Sequence, residues 1–182
     1  MKLIPEWFNH QYCLIAWPCN KDLYGDIINK ARDEVANVIN EISKTERVIV
    51  LSNKEDINEI ENKTNHENID ILECKLDDSW MRDIAPIFYN EDKKLKSISF
   101  DFNGYGKYPY YVNDNKISKF ISNHLNIPTK NSDFVIEGGA ITYDDRKNLF
   151  STKNVLFNKN RKQRHSNEYL SLIHISEPTR PY

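Results

Sequence analysis

The sequence predicts an α/β fold, on two observations. Strand-sized apolar runs at residues 12–17, 47–51 and 69–74 alternate with stretches of helical period at residues 23–43 and 52–63. The chain then turns to shorter strands joined by polar turns, with one further helix among them. Its 182 residues leave room for one domain or for a piece of a larger one.

Each expected element has a local cause. Tyr12-Cys13-Leu14-Ile15-Ala16-Trp17 is a buried strand ended by Pro18. Residues 23–43 form a helix whose Ile27, Ala31, Val35, Val38, Ile39 and Ile42 recur mostly at steps of three and four, making its packed face. Residues 47–51 are a β-branched strand. Ser52 and Glu55 have capping-box spacing and open a short helix ending near Lys63. Residues 69–74 return as a strand. Residues 86–90 and 95–103 make a hairpin about Glu91-Asp92-Lys93-Lys94, with Ile98, Phe100 and Phe102 on one face. Asn113 or Asp114 caps a helix bearing Ile117, Phe120, Ile121 and Leu125, which Pro128 stops. Residues 134–136, 140–143 and 149–151 are strands, the last two joined by a polar turn.

Composition narrows the function. Charged residues make up 29% and the net charge is −2, a balance that argues against a nucleic-acid or anionic-membrane partner. No apolar run approaches the ~20 residues that span a bilayer. The segment Met1-Lys2-Leu3-Ile4-Pro5-Glu6-Trp7 lacks the apolar core of a signal peptide, so a cytoplasmic location is expected. Cys13, Cys19 and Cys74 are odd in number and irregular in spacing, which suggests no disulfide framework. No CxxC or His/Cys cluster has zinc spacing, and no metal is expected. Cys13 and Cys74 lie in strand-like runs, where buried, inert thiols are expected.

The chemistry concentrates in Asp77-Asp78-Ser79-Trp80-Met81-Arg82-Asp83-Ile84-Ala85-Pro86. Composition alone permits a solvated charged loop here. The stretch also suits a grip on a flat cation, with carboxylates accepting N–H groups in pairs beside an aromatic wall. A second stretch, Val135-Ile136-Glu137-Gly138-Gly139-Ala140, ends an apolar run with one carboxylate and two glycines. It reads as a plain hairpin, or as a candidate acid or base beside glycines that admit another backbone or a ligand.

Together these stretches resemble the agmatine deiminase and Porphyromonas-type peptidylarginine deiminase family. Pro5-Glu6-Trp7 with His10, Ala16-Trp17-Pro18, Asp101-Phe102-Asn103-Gly104-Tyr105-Gly106-Lys107-Tyr108, and Ser151-Thr152 with Leu156-Phe157-Asn158-Lys159-Asn160-Arg161 match in the family's order and spacing. The resemblance implies the pentein fold, a five-bladed α/β propeller, incomplete here at about its first half. It implies hydrolysis of a guanidino group with no cofactor, most simply agmatine to N-carbamoylputrescine and ammonia through a cysteine thiouronium intermediate. Arginine or peptidylarginine is the competing substrate. By resemblance Asp83 grips the guanidinium, Glu137 contacts the substrate and orients a histidine, and Trp80 lines the pocket. Asp77, Asp78, Asn103, Tyr105 and Trp17 are expected at the wall or behind it, and Arg82 is expected to hold the loop by pairing with Asp77 or Asp78.

Residues 1–161 are thus expected to be the N-terminal part of a deiminase domain, and 162–182 its cut end. Residues 171–182 match nothing in the family and resemble translated adapter sequence. The family's His-x-Asp motif and nucleophilic cysteine would follow, so the chain as written is expected to have little activity. A homo-oligomer is one expectation for the full-length protein. An alternative of another class is a non-catalytic protein that binds guanidino compounds or a partner chain.

Overall fold

The computed structural model describes residues 2–64, 67–146 and 148–161, apart from the side chain of Asp133. The expected cut end and foreign tail lie outside the described residues. In chain order the first strands and helices are β1 (Lys2–Leu3), β2 (Tyr12–Ala16), α1 (Lys21–Tyr24), α2 (Ile28–Ser43), β3 (Arg47–Ser52), α3 (Ile57–Lys63) and β4 (Ile69–Glu73). They are followed by α4 (Met81–Ile84), β5 (Ile87–Glu91), β6 (Lys94–Asp101), α5 (Ile117–His124), β7 (Thr129–Val135), β8 (Thr142–Tyr143), β9 (Leu149–Phe150) and α6 (Lys153–Leu156). The chain divides into two compact units. Among the described residues, the first is 9–81 with 110–114, and the second is 2–8, 82–109 and 115–161.

The first unit is a β-α-β-α-β module. β2, β3 and β4 form a parallel sheet with β3 in the middle, in the register Ile15↔Val50↔Ile71. Parallel neighbours need a crossover, which the helices supply. Val48, Ile49, Val50 and Leu51 are all buried, as a central strand covered on both faces requires. Trp17, Ala36, Ile39, Val48, Val50 and Ile60 form the core.

The long helix expected over residues 23–43 is broken. Asn20 caps α1 by accepting the Leu23 N–H at 3.1 Å, and Gly25 then turns the chain at φ +52° before α2 begins. The buried face of α2 is Ile28, Arg32, Ala36, Ile39 and Ser43, whereas Ile27 and Val38 of the expected face are exposed. The cause is Arg32. Its buried guanidinium donates to the Pro18 carbonyl (2.9 Å), Asp56 (2.7 Å) and Glu59 (2.5 Å), and so draws a charged residue into the middle of the inward stripe.

The expected capping box does not form either. Ser52 ends β3 and donates to the Asn53 carbonyl, while Glu55 falls in a 3-10 turn, Lys54–Asp56. Asn53 instead binds the backbone of Leu76, accepting its N–H at 2.9 Å and donating to its carbonyl at 3.3 Å.

The second unit holds a four-stranded sheet in the order β1-β5-β6-β7. The expected hairpin is β5-β6, and both residues of its turn, Asp92 and Lys93, have positive φ (53° and 61°), the geometry that matches strand twist. Ile98 and Phe100 do not make the buried face of β6. Ser97 and Ser99 do, because Ser97 Oγ pairs with Ser122 Oγ and Thr129 Oγ1, each at 2.9 Å, and joins β6 to α5 and β7 through hydroxyls. β7 starts at Thr129, five residues before the expected strand, and runs parallel to β6. The strand expected from residue 140 begins at Thr142, because Gly138–Ala140 is a 3-10 turn. Among the described residues no helix is long and apolar enough to cross a membrane.

Candidate guanidinium-binding site

The second unit brings the two signature stretches together through Asp83. This half-buried side chain accepts one donor on each oxygen, the Gly139 N–H on Oδ1 (3.0 Å) and the Tyr105 hydroxyl on Oδ2 (2.5 Å). A Cβ on Gly139 would stand 2.3 Å from Asp83 Oδ1, and one on Gly138 would stand 2.4 Å from the carbonyl oxygen of Arg82. The glycines therefore serve the close approach of another backbone and of a carboxylate.

Tyr105 reaches Asp83 from a turn, Gly104–Gly106, in which its own φ is +60°. Non-glycine residues seldom hold that conformation, and a surrounding structure must enforce it. Here the Tyr105 ring lies edge-on to Phe102 (5.2 Å between centroids) and to Tyr108 (5.8 Å). Asn103 caps the turn, accepting the Gly106 N–H at 2.9 Å and donating to the Asn160 carbonyl at 3.0 Å.

Glu137 ends the strand region after β7 and is 2% exposed. Its partner is Arg161, which donates from Nε to both carboxylate oxygens (3.2 Å each) and from a terminal nitrogen to Oε2 (2.9 Å). Sequence reasoning gave Arg161 no role, since nothing local marks a partner 24 residues away. Arg82 does not pair with Asp77 or Asp78. It pairs at the surface with Glu6, because α4 turns its side chain outward.

The remaining expected residues belong to the first unit. Asp77 accepts the N–H and the side-chain amide of Asn113 (2.6 and 2.7 Å), and the Asp77 N–H is taken by Asp114 Oδ1 at 2.8 Å. Asp114 is therefore bound to another segment instead of capping its own helix. Asp78 turns back to accept the Ser79 N–H at 2.7 Å, and Trp80 stays 53% exposed. Trp17 is a correction: it is fully buried in the apolar core and lines no wall.

Electrostatics separates these groups. Burial pushes the Asp114 carboxyl up to about 7, against the backbone N–H groups that favour its anion. Burial also raises Asp78. Cys19 is pushed to about 12 by burial and by the carboxylates of Asp114, Asp78, Asp56 and Asp77. Cys74 rises to about 11, and Cys13 is raised as well, both chiefly by burial. These thiols are poor nucleophiles near neutral pH. Among the described residues no group of three or more His, Cys, Asp or Glu is placed to hold a metal ion.

The chain is 33% identical over 183 residues to a provisionally named agmatine deiminase of Mycoplasma capricolum, covering 97% of this chain and 49% of that protein. It is 28% identical over 184 residues to the agmatine deiminase of Pseudomonas aeruginosa, covering 97% and 49%. The solved agmatine deiminase of Enterococcus faecalis superposes with a TM-score of 0.85 at 21% identity, over 94% of this chain and 48% of that one. A substrate-bound C. jejuni agmatine deiminase gives 0.83 at 22%, over 96% and 54%. These likenesses show the pentein-type α/β propeller fold, and the chain spans about half the length of the curated relatives it matches. The family model for Porphyromonas-type peptidyl-arginine deiminases matches residues 2–172, and the chain belongs to that family.

Proposed function

We propose that this chain supplies the guanidinium-binding part of an enzyme that hydrolyses agmatine to N-carbamoylputrescine and ammonia. One observation carries the reading: Asp83 is held by one donor on each oxygen, Gly139 N–H and Tyr105 O–H. An ionised carboxylate has about four lone-pair directions. With one donor accepted on each oxygen, each oxygen of Asp83 keeps acceptor capacity for one further donor. That pattern fits two parallel N–H groups of a guanidinium, which gives both attraction and orientation.

A delocalised guanidinium carbon is a poor electrophile, so fixing it in place is a large share of the catalytic task. A thiolate must then attack the carbon, and an acid/base must protonate the departing ammonia and later activate water. The raised thiols of Cys13, Cys19 and Cys74 do not suit the first duty. The reading therefore assigns the nucleophile and its His-x-Asp pair to the remainder of a longer natural protein. Residues 1–161 are proposed as its N-terminal part. Glu137 is the second carboxylate toward the substrate.

Agmatine is preferred over arginine or peptidylarginine because the Pseudomonas and Enterococcus relatives are agmatine deiminases by name. The proposed location is cytoplasmic, and the complete protein is proposed to be a homo-oligomer. The test is to sequence the locus cleanly, express its complete product beside the 182-residue chain, and follow ureido product from agmatine, arginine and a peptidylarginine. The reading expects agmatine turnover by the complete product and almost none by the short chain. Comparable turnover by both, or none by the complete product, overturns it.

A further inference from the structure

We infer that Arg161 is a positioning residue for Glu137 and fixes the orientation of its carboxylate. The inference rests on the reading under Proposed function and adds to it what holds Glu137 in place.

Arg161 presents two N–H groups to Glu137: the single Nε–H is shared between both carboxylate oxygens, and a terminal N–H bonds Oε2. Both oxygens of Glu137 are thereby held by one side chain. Arg161 can fix the plane of the Glu137 carboxylate because its donors form a rigid planar fork, which a lysine ammonium cannot copy.

The placement of Arg161 is itself tied to Asp83. Arg161 belongs to the 3-10 turn Lys159–Arg161, whose Asn160 carbonyl accepts the Asn103 side-chain amide. A Cβ on Gly106 would stand 2.6 Å from Asn160 Cβ, so that turn packs directly on the turn that carries Tyr105. One loop, residues 103–106, holds Asp83 through Tyr105 and holds the turn of Arg161 through Asn103 and Gly106. Both acidic groups are set from the same loop.

The experiment compares Arg161→Lys and Arg161→Ala with the parent in the complete gene product, measuring kcat and KM for agmatine together with Tm. Arg161→Lys keeps the charge and is expected to fold, with kcat down about 30-fold or more and KM within about threefold. Arg161→Ala is expected to lose at least about 100-fold and to regain about tenfold with millimolar guanidinium chloride, while the same salt inhibits the parent. A residue serving stability alone would shift Tm without that rescue. Arg161→Lys with kcat within about threefold of the parent, or a folded Arg161→Ala that guanidinium does not restore, overturns the inference. If Arg161→Ala does not fold, the Lys variant decides. A parent without agmatine turnover sinks the proposed function and this inference with it; an active parent with an undiminished Lys variant sinks only this inference.

Discussion

Asp83 Oδ1 lies 3.0 Å from the Gly139 amide nitrogen and would lie 2.3 Å from a Cβ on the same glycine. The carboxylate thus depends on a residue without a side chain, and the two signature stretches constrain each other. Gly139→Ala is expected to push Asp83 out of place, costing ~1–3 kcal/mol of stability as overpacking does. It should also lower agmatine turnover by the complete gene product by about 100-fold, since small misplacements of a positioning group are costly. Gly138→Ala should destabilise more, because its neighbour is the Arg82 backbone and cannot swing aside. Denaturant titration and the ureido assay check both, and an unimpaired Gly139→Ala enzyme would refute the dependence.

Tyr105→Phe isolates the hydroxyl. The ring is already held by Phe102 and Tyr108, so packing survives the change. The lost bond leaves Asp83 Oδ2 with one fewer donor. Stability should move by less than ~1 kcal/mol, because water can reach a half-buried carboxylate. Turnover should fall about tenfold or more, equivalent to ~1.4 kcal/mol of barrier. Steady-state kinetics beside a melting curve separates the two effects.

Asp114 makes stability depend on pH in an unusual sense. Its folded pKa is raised from 3.8 to about 7, so the native state holds a proton that the unfolded chain has released. That contribution is full below the unfolded value, is lost as pH rises through about 7, and is absent above. Burial raises Asp78 and Asp56 in the same direction. Asp114→Asn retains an acceptor for the Asp77 N–H without a charge to bury. The variant should therefore have a flatter profile between pH 5 and 8, and be more stable than the parent at pH 8 by on the order of 1–3 kcal/mol. Urea titrations of the 182-residue chain across that range decide it, and parallel profiles would contradict the assignment.

The three thiols should be slow to react. With Cys19 near 12, Cys74 near 11 and Cys13 raised, the thiolate fraction at pH 8 is small. Iodoacetamide at pH 8 should label the native chain far more slowly than the urea-unfolded chain, read by intact mass. Rapid labelling of one native cysteine would reopen the case for a local nucleophile.

Much of this architecture was legible in the letters. The apolar run of β3 and the polar turn between β5 and β6 follow directly from residue type and alternation. The packing role of the glycine pair was legible too, though not which backbone it meets. β7 was hidden because Thr129, Lys130, Asn131 and Ser132 are polar and the strand borders the four-stranded sheet, with β6 as its one neighbour there. The inward serines of β6 were hidden because hydroxyl pairing across three elements has no sequence period. Arg32 and Arg161 escaped for a related reason, since a buried arginine is justified only by acids that the fold brings from a distance. Trp17 misled in the other direction, for an indole near a signature motif can simply fill a core.

The most direct test of Asp83 as the guanidinium grip is Asp83→Asn in the complete gene product. Asparagine keeps the size and one acceptor but loses the charge and the second open lone pair. Agmatine turnover should fall by about 1,000-fold or more while the melting temperature stays within a few degrees of the parent. Turnover within about tenfold of the parent would remove Asp83 from the site and the proposed function with it.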